Sequence, residues 1–307
     1  MDLYRLEGQT VQALKDVPFK LEKDMQALFE THLPQLMGWQ VVKSEFRLKQ
    51  FRFDTLAFDA EKQAFVVIEY KRDKNHSVVD QGVAYLNAML EYKDSLLMEY
   101  NERFTGRLLK RSDVDWSQTR MLFVANAFTP FQKQATNFKD LGIALAEFKC
   151  YENGLLSVNL IERDSHAPEL PKPQQDIDAT VVSALDHVAK EIVVYDEAYH
   201  LEGKSDAIVE LYEQFRDALL NLDAAIRLDY TKLYVAFKKD KSNCVDIAVL
   251  KNSLKLWINA RWGSLNDARG LFRDVSEVGH HGNGDYQVHV SNTDDLEYIL
   301  SVVKQVL

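Results

Sequence analysis

The apolar run Ala64-Phe-Val-Val-Ile-Glu-Tyr70 constrains this chain more than any other stretch. It is too short for a helix and rich in β-branched and aromatic residues, so it predicts a central strand. Side chains on a strand repeat every two residues, which puts Glu69 and Lys71 on one face at the end of an otherwise wholly apolar element. Unpaired charge is costly to bury, so groups placed like this are paired or hold a cation. The segment from Glu45 to Asp59 predicts an adjacent strand that ends in a turn at 60–63, with Arg52, Asp54 and Leu56 on one face. A short hairpin of this kind brings Asp54 beside Glu69.

Two carboxylates and a lysine in this order suit one chemistry. Mg2+ takes oxygen ligands, keeps several waters and needs only one or two carboxylates, which Asp54 and Glu69 supply. A metal held there activates a bound water and neutralises charge on a phosphate under attack. Lys71 is placed to orient the nucleophile or to stabilise the charged phosphate as a point charge.

With Asp54 followed by Glu69-Tyr70-Lys71, the chain resembles the PD-(D/E)xK nuclease superfamily, with Phe53 standing where the name has Pro. The wider order is similar to the branch holding RecB-like exonucleases and archaeal mismatch endonucleases. That order is an acidic helix around Glu22, a strand with Arg52-Phe53-Asp54, a strand with Glu69-Tyr70-Lys71, and a helix beginning at Gln81 with Tyr85 four residues on. The resemblance covers about residues 18–162. It implies a restriction-endonuclease-like mixed sheet flanked by helices, with Mg2+ or Mn2+ bound by Asp54, Glu69 and the carbonyl of Tyr70, and Lys71 assisting the nucleophile. It also implies that Gln81 and Tyr85 pack beside the metal and help position nucleic acid. The alternative from the residues alone is that Tyr85 packs in the core with Leu86 and Met89 while Gln81 caps a helix start near Ser77. Glu22 is an auxiliary metal ligand or a solvated acid in a first helical turn, where the helix dipole favours it, and Glu30 rivals it.

The formal net charge of −10 argues against a nonspecific nucleic-acid coat. Local clusters count for more than the total. Lys43, Arg47, Lys49 and Arg52 lie on the approach to Asp54, and Arg103, Arg107, Lys110 and Arg111 follow the Gln81 helix. Both groups read as phosphate contacts or as ordinary solvated faces, and their nearness to the acidic pair favours a channel.

Downstream, the sequence predicts one long helix from Ser77 to Tyr100, a buried strand over 120–126, a helix over 130–139, and two strands between Ile143 and Ile161 joined through Glu152-Asn153-Gly154. Three of the six prolines fall within 165–178, which marks a linker. The expected organisation is therefore a nuclease-like α/β domain at 1–164, a Pro-rich linker at 165–178, and an α+β accessory domain at 179–307. Within the last, helices are expected over 178–194 and 205–222. Strands are expected over 232–237, 244–250, 253–258 and 286–290, with a closing helix over 293–306. Gly279-His-His-Gly-Asn-Gly-Asp285 reads as a solvent-facing hairpin rather than a metal site. From Leu228 onward, Trp262-Gly-Ser-Leu-Asn-Asp267 and the His280-His281 segment resemble a C-terminal domain of unknown function found in bacterial proteins.

Only Cys150 and Cys244 are present, so neither a disulfide framework nor a cysteine zinc site is expected. The Gly-x-x-x-x-Gly-Lys-Ser/Thr, Gly-x-Ser-x-Gly and His-Glu-x-x-His signatures do not occur. Without a membrane-length apolar stretch or a signal-peptide pattern, a cytoplasmic location is the default. The function expected is a Mg2+-dependent deoxyribonuclease of repair or defence. The alternative is a catalytically silent nucleic-acid or protein-binding protein that keeps the nuclease fold. DNA is the expected partner, RNA is the second candidate, and a homodimer is left open.

Overall fold

In the computed structural model, residues 3–72, 78–106, 108–138, 141–162, 167–168 and 187–307 are described, and they fall into two compact units divided between Val194 and Tyr195. The first unit opens with a two-stranded hairpin, β1 (Tyr4–Glu7) and β2 (Thr10–Ala13), followed by the short β3 (Asp16–Val17). Helices α1 (Glu22–Thr31) and α2 (Leu33–Met37) come next, then β4 (Gln40–Leu48), β5 (Phe51–Asp59) and β6 (Ala64–Lys71). Helices α3 (Val78–Glu91) and α4 (Lys93–Arg103) precede β7 (Arg120–Ala125). The unit continues with α5 (Pro130–Ala135), β8 (Ile143–Tyr151) and β9 (Leu156–Leu160).

The sheet runs β3-β8-β7-β6-β5-β4, with β9 also on β8. The β4–β5–β6 part is antiparallel, while β6, β7 and β8 are mutually parallel, so the sheet is mixed. Parallel neighbours require crossovers, and the α3–α4 pair and α5 supply them. Strand β6 is covered on both faces, which is why it reads as an almost unbroken apolar run. Phe65 and Val67 face a core built with Val83, Leu86 and Met89 of α3 and with Leu96 and Leu97 of α4. Val66, Ile68 and Tyr70 face the other way, onto Met25 and Phe29 of α1 and Leu33 of α2.

Three sequence expectations for this unit are corrected. The single strand over 45–59 is two strands, β4 and β5, joined by a tight turn in which Leu48 pairs with Phe51 and Lys49 takes a left-handed φ of 55°. Lys49-Gln50 lacks the Asn-Gly signature of such turns, so nothing in the sequence announced it. The helix expected over 77–100 is broken at Tyr92 (φ −107°, ψ 41°) into α3 and α4. There, Lys93 is buried with its ammonium 3.0 Å from Glu191 and over the Trp116 ring. The helix begun at Pro130 ends at Ala135 rather than 139.

The domain boundary also moves. The linker at 165–178 and the helix start near Ser77 lie outside the described residues, apart from 167–168. The helical turn at 187–191, assigned by sequence to the second domain, belongs to the first unit. Val188 is fully buried in the α3-side core, Ile192 packs against it, and His187 Nδ1 lies 3.0 Å from Asn87. The prolines mark a change of composition, but the chain returns to the first core before leaving it.

The second unit holds α6 (Glu197–Leu201), α7 (Asp206–Leu220), β10 (Ile226–Tyr230), β11 (Val235–Lys239), β12 (Ser242–Val249), β13 (Leu254–Ile258), β14 (Arg273–Asp274), β15 (Tyr286–Val290) and α8 (Leu296–Val303). Its antiparallel sheet runs β10-β11-β12-β13-β15-β14. One face carries the main core against α7 and α8. The other holds a small cluster of Tyr234, Ala236, Ala248, Trp257 and Val275. Strand β10 was not expected from sequence.

The glycine-rich segment does not face solvent as a free hairpin. It lies back on the sheet, with a Cβ at Gly282 falling 2.3 Å from Trp257 and one at Gly284 (φ 83°) falling 2.1 Å from the Ile258 carbonyl. The main-chain N–H of Asn283 donates to Asp246 at 2.6 Å. Among the described residues no helix is long and apolar enough to cross a membrane.

Candidate metal and phosphate site

The β5–β6 ladder ends at the Thr55–Ile68 pair, and one step further along the same register Asp54 stands across from Glu69. There the side chain replaces the ladder: Asp54 Oδ2 accepts the Tyr70 N–H at 3.0 Å. Asp54 is half-buried. Burial, then the charge of Glu69, raises its carboxyl to about 6, although the Tyr70 N–H and Lys71 pull the other way.

Glu69 is 6% exposed. Its Oε1 accepts from Lys71 Nζ at 3.0 Å and from Gln81 Nε2 at 2.9 Å. Its Oε2 is buried and has no hydrogen-bond partner among the described residues. A buried carboxylate oxygen left unsatisfied is expensive, and native structures keep few of them.

Gln81 and Tyr85 do more than cap a helix or fill a core. Gln81 Nε2 also lies 3.0 Å from the Tyr85 hydroxyl, which donates to the Arg52 carbonyl at 3.1 Å. The Tyr85 ring packs edge-on against Phe51 and Phe53, so its hydroxyl reaches the site from an apolar seat. Burial raises its pKa. One α3 face therefore ties Glu69 on β6 to the main chain of β5. Gly82 permits the approach, because a Cβ there would fall 2.4 Å from Ile143 Cδ1.

Among the described residues no third carboxylate joins the pair. Among the described residues no group of three or more His, Cys, Asp or Glu is placed to hold a metal. Glu22 Oε1 instead accepts the Arg72 N–H at 2.9 Å, fastening α1 to the end of β6. Glu30 is engaged behind the sheet by Gln26 and by the Thr55 hydroxyl. The residues nonetheless fit a small hard cation, which needs no more than two carboxylates. The unpartnered Glu69 Oε2 and the repulsion felt by Asp54 are both conditions that a cation relieves.

The basic residues proposed as a channel are mostly engaged. Lys43 pairs with Glu99 at 3.1 Å, and Arg52 pairs with Glu45. Lys49 lies over the Tyr92 ring and Arg103 over the Phe104 ring. Arg111 meets Asp94 at 3.5 Å, while Lys110 is exposed. Arg47 is exposed without a side-chain partner among the described residues, and Arg107 lies outside them. Arg52 also feels the charges of Asp54 and Glu69.

Gln26 is a residue that sequence reasoning missed. It sits on α1 between Glu22 and Glu30 at intervals of four, a polar stripe beside the buried Met25 and Phe29, and that stripe was the available signal.

Residues 197–305 match the model of a domain of unknown function, DUF5655. The match begins earlier than the Leu228 start suggested by sequence. Among solved structures, similarity is found to a repair endonuclease from Pyrococcus abyssi (14% identity, 47% of this chain, 63% of that one, TM-score 0.24). It is also found to an EndoMS–double-stranded DNA complex (16%, 41% of this chain, 46% of that one, TM-score 0.23). A third is Pyrococcus furiosus SfsA in complex with Ca2+ (13%, 53% of this chain, 76% of that one, TM-score 0.27). The matched region spans less than two thirds of the first two, and superpositions at this level carry no argument for an activity. The informative relative is an uncharacterized protein of Haemophilus influenzae, 49% identical over 301 residues that take in 98% of this chain and 97% of the relative. The chain belongs to the family of that Haemophilus influenzae protein.

Proposed function

We propose that the first unit is a divalent-metal-dependent nuclease that hydrolyses phosphodiester bonds, with DNA as the substrate and RNA as the second candidate. The observation that carries this reading is Glu69: a nearly buried carboxylate with one oxygen held by Lys71 and Gln81, the other without a partner among the described residues, and Asp54 across from it. Asp54 and Glu69, with the carbonyl of Tyr70, would hold Mg2+ or Mn2+. When bound, the metal supplies a water of lowered pKa and charge for the phosphate oxygens.

The rest of the work falls to the chain's own groups. Lys71 Nζ, 3.0 Å from Glu69, keeps a positive charge beside the reacting phosphate and orients the attacking oxygen. Gln81 fixes the rotamer of Glu69 by occupying Oε1. Tyr85 in turn fixes Gln81. In this reading Arg47 and Arg52 contact the nucleic-acid backbone, the latter by exchanging Glu45 for phosphate.

The reading is tested by cleavage of labelled single-stranded and duplex DNA and RNA with Mg2+ or Mn2+, comparing the native chain with Asp54→Ala and Lys71→Ala. Cleavage by the native chain alone supports it. Equal cleavage by all three, or by none, overturns it, and binding without cleavage in all three leaves the silent-module alternative in its place.

A further inference from the structure

We propose that Gln26, on α1, is a positioning residue for the Asp54–Glu69 pair, acting from the opposite face of the sheet through the main chain of Asp54. The inference rests on the metal-binding reading above and deepens it.

Neither ladder registers a partner for Asp54. On the β6 side pairing ends at Thr55. On the β4 side it passes from Ser44–Thr55 to Phe46–Phe53 around Glu45, whose φ is 53°. The left-handed φ is on Glu45 of β4, across from Asp54, and although the register runs on unshifted, the pairing is interrupted at the residue that carries the carboxylate. Something else must hold that segment.

Gln26 does so. Although polar it is 7% exposed, and its Nε2 donates to the Asp54 carbonyl at 2.9 Å, with Glu30 Oε1 at 3.1 Å and Ser44 Oγ at 3.2 Å also within reach. The next residue along, Thr55, donates its hydroxyl to Glu30 and lies 3.3 Å from the Tyr70 hydroxyl. Tyr70 packs edge-on against Phe29 of α1, and its N–H is the donor to Asp54 Oδ2. Gln26 and Glu30 therefore clamp β5 at 54–55, and the same helix holds β6 at Tyr70, so α1 sets the separation of the two strands at the carboxylates. Groups one step removed from a metal commonly govern its affinity about 10-fold to 100-fold.

The test is a Mn2+ titration of the full chain at pH 7.5, with free Mn2+ read by electron paramagnetic resonance. It uses the native protein, Gln26→Met, Ser44→Ala and Asp54→Ala. Gln26→Met keeps an unbranched side chain but removes the donor, whereas Ser44→Ala deletes a different partner of the same amide. The expected result is about tenfold weaker binding by Gln26→Met, native affinity in Ser44→Ala, and none in Asp54→Ala. With Mn2+ raised to saturation, cleavage by Gln26→Met returns towards the native rate, a KM-type effect on the metal rather than a loss of turnover. Native affinity in Gln26→Met overturns the inference while leaving the metal site standing. An equal loss in Ser44→Ala also overturns it, because the network is then only structural. A folded native chain that takes up no Mn2+ overturns the metal-binding reading and this inference together.

Discussion

Each of the two sheets buries a carboxylate, and the two are solved differently. Asp246, on β12 of the second unit, is fully buried, yet both its oxygens are met: Asn243 Nδ2 donates at 2.8 Å, and the Asn283 N–H and Nδ2 donate at 2.6 and 3.0 Å. Glu69 is almost as buried, shares one oxygen between Lys71 and Gln81, and leaves the other without a partner among the described residues. Burial does not separate these two carboxylates; the satisfaction of their oxygens does. Asp246 fastens a loop to a sheet, whereas Glu69 is held at a cost that something bound would offset.

The comparison breaks most visibly in activity. Lys71→Ala is expected to lose about 100-fold or more of the cleavage rate, the scale of removing one preorganised electrostatic group, in a single-turnover assay. Asp246→Ala is expected to leave that rate unchanged. A loss in both would place the chemistry elsewhere.

Stability should show the reverse pattern. Asp246→Ala strands the Asn283 and Asn243 donors and is expected to destabilise the second unit by about 3 kcal/mol, read by calorimetric melting. Without metal, Glu69→Gln keeps the shape, removes the repulsion on Asp54 and should not destabilise the first unit. Comparable losses would mean that the Glu69 site is structural too.

Smaller in size is Gly82→Ala. The added methyl meets Ile143 and pushes α3 from the sheet, at about 1–3 kcal/mol for overpacking. If Gln81 fixes Glu69, the metal affinity falls as well as the melting temperature.

The finest test is pH. The Asp54 carboxyl is raised to about 6, above its usual range near 4. The folded state therefore holds its proton more tightly than the unfolded one. The metal-free chain gains stability from this group at low pH and loses it as pH rises through about 6. Mn2+ binding runs oppositely, because the ligand must be ionised, so metal-induced stabilisation should be present at pH 7.5 and fade below about 6. Melting curves with and without Mn2+ at both pH values check the two signs separately.

The same contrast explains what the sequence could disclose. Glu69 and Lys71 were legible because a charge at the end of an apolar strand is a local anomaly, and strand alternation then assigns their common face. The mixed sheet followed from the order of apolar runs and helical patterns. Gln26 was hard to single out because its partner is a main-chain carbonyl 28 residues away; the polar stripe on α1 marks the residue but not what it meets. The tight turn at Lys49 was hidden because its residues are not those that favour a left-handed φ. The end of the first unit at Val194 was not marked in the sequence, because the prolines at 165–178 change the composition without showing where the chain last touches a core. The packed Gly282 and Gly284 look like part of a free loop in sequence, and only Asp246, Trp257 and the Ile258 carbonyl, brought beside them by the fold, show otherwise.

The most direct measurement is Mn2+ binding by the native chain, Glu69→Gln and Asp246→Asn, side by side at pH 7.5. The native protein and Asp246→Asn should each take up metal, and Glu69→Gln should lose it. Undiminished binding by Glu69→Gln, or none by the native chain, would contradict the assignment of the unpartnered carboxylate as the site.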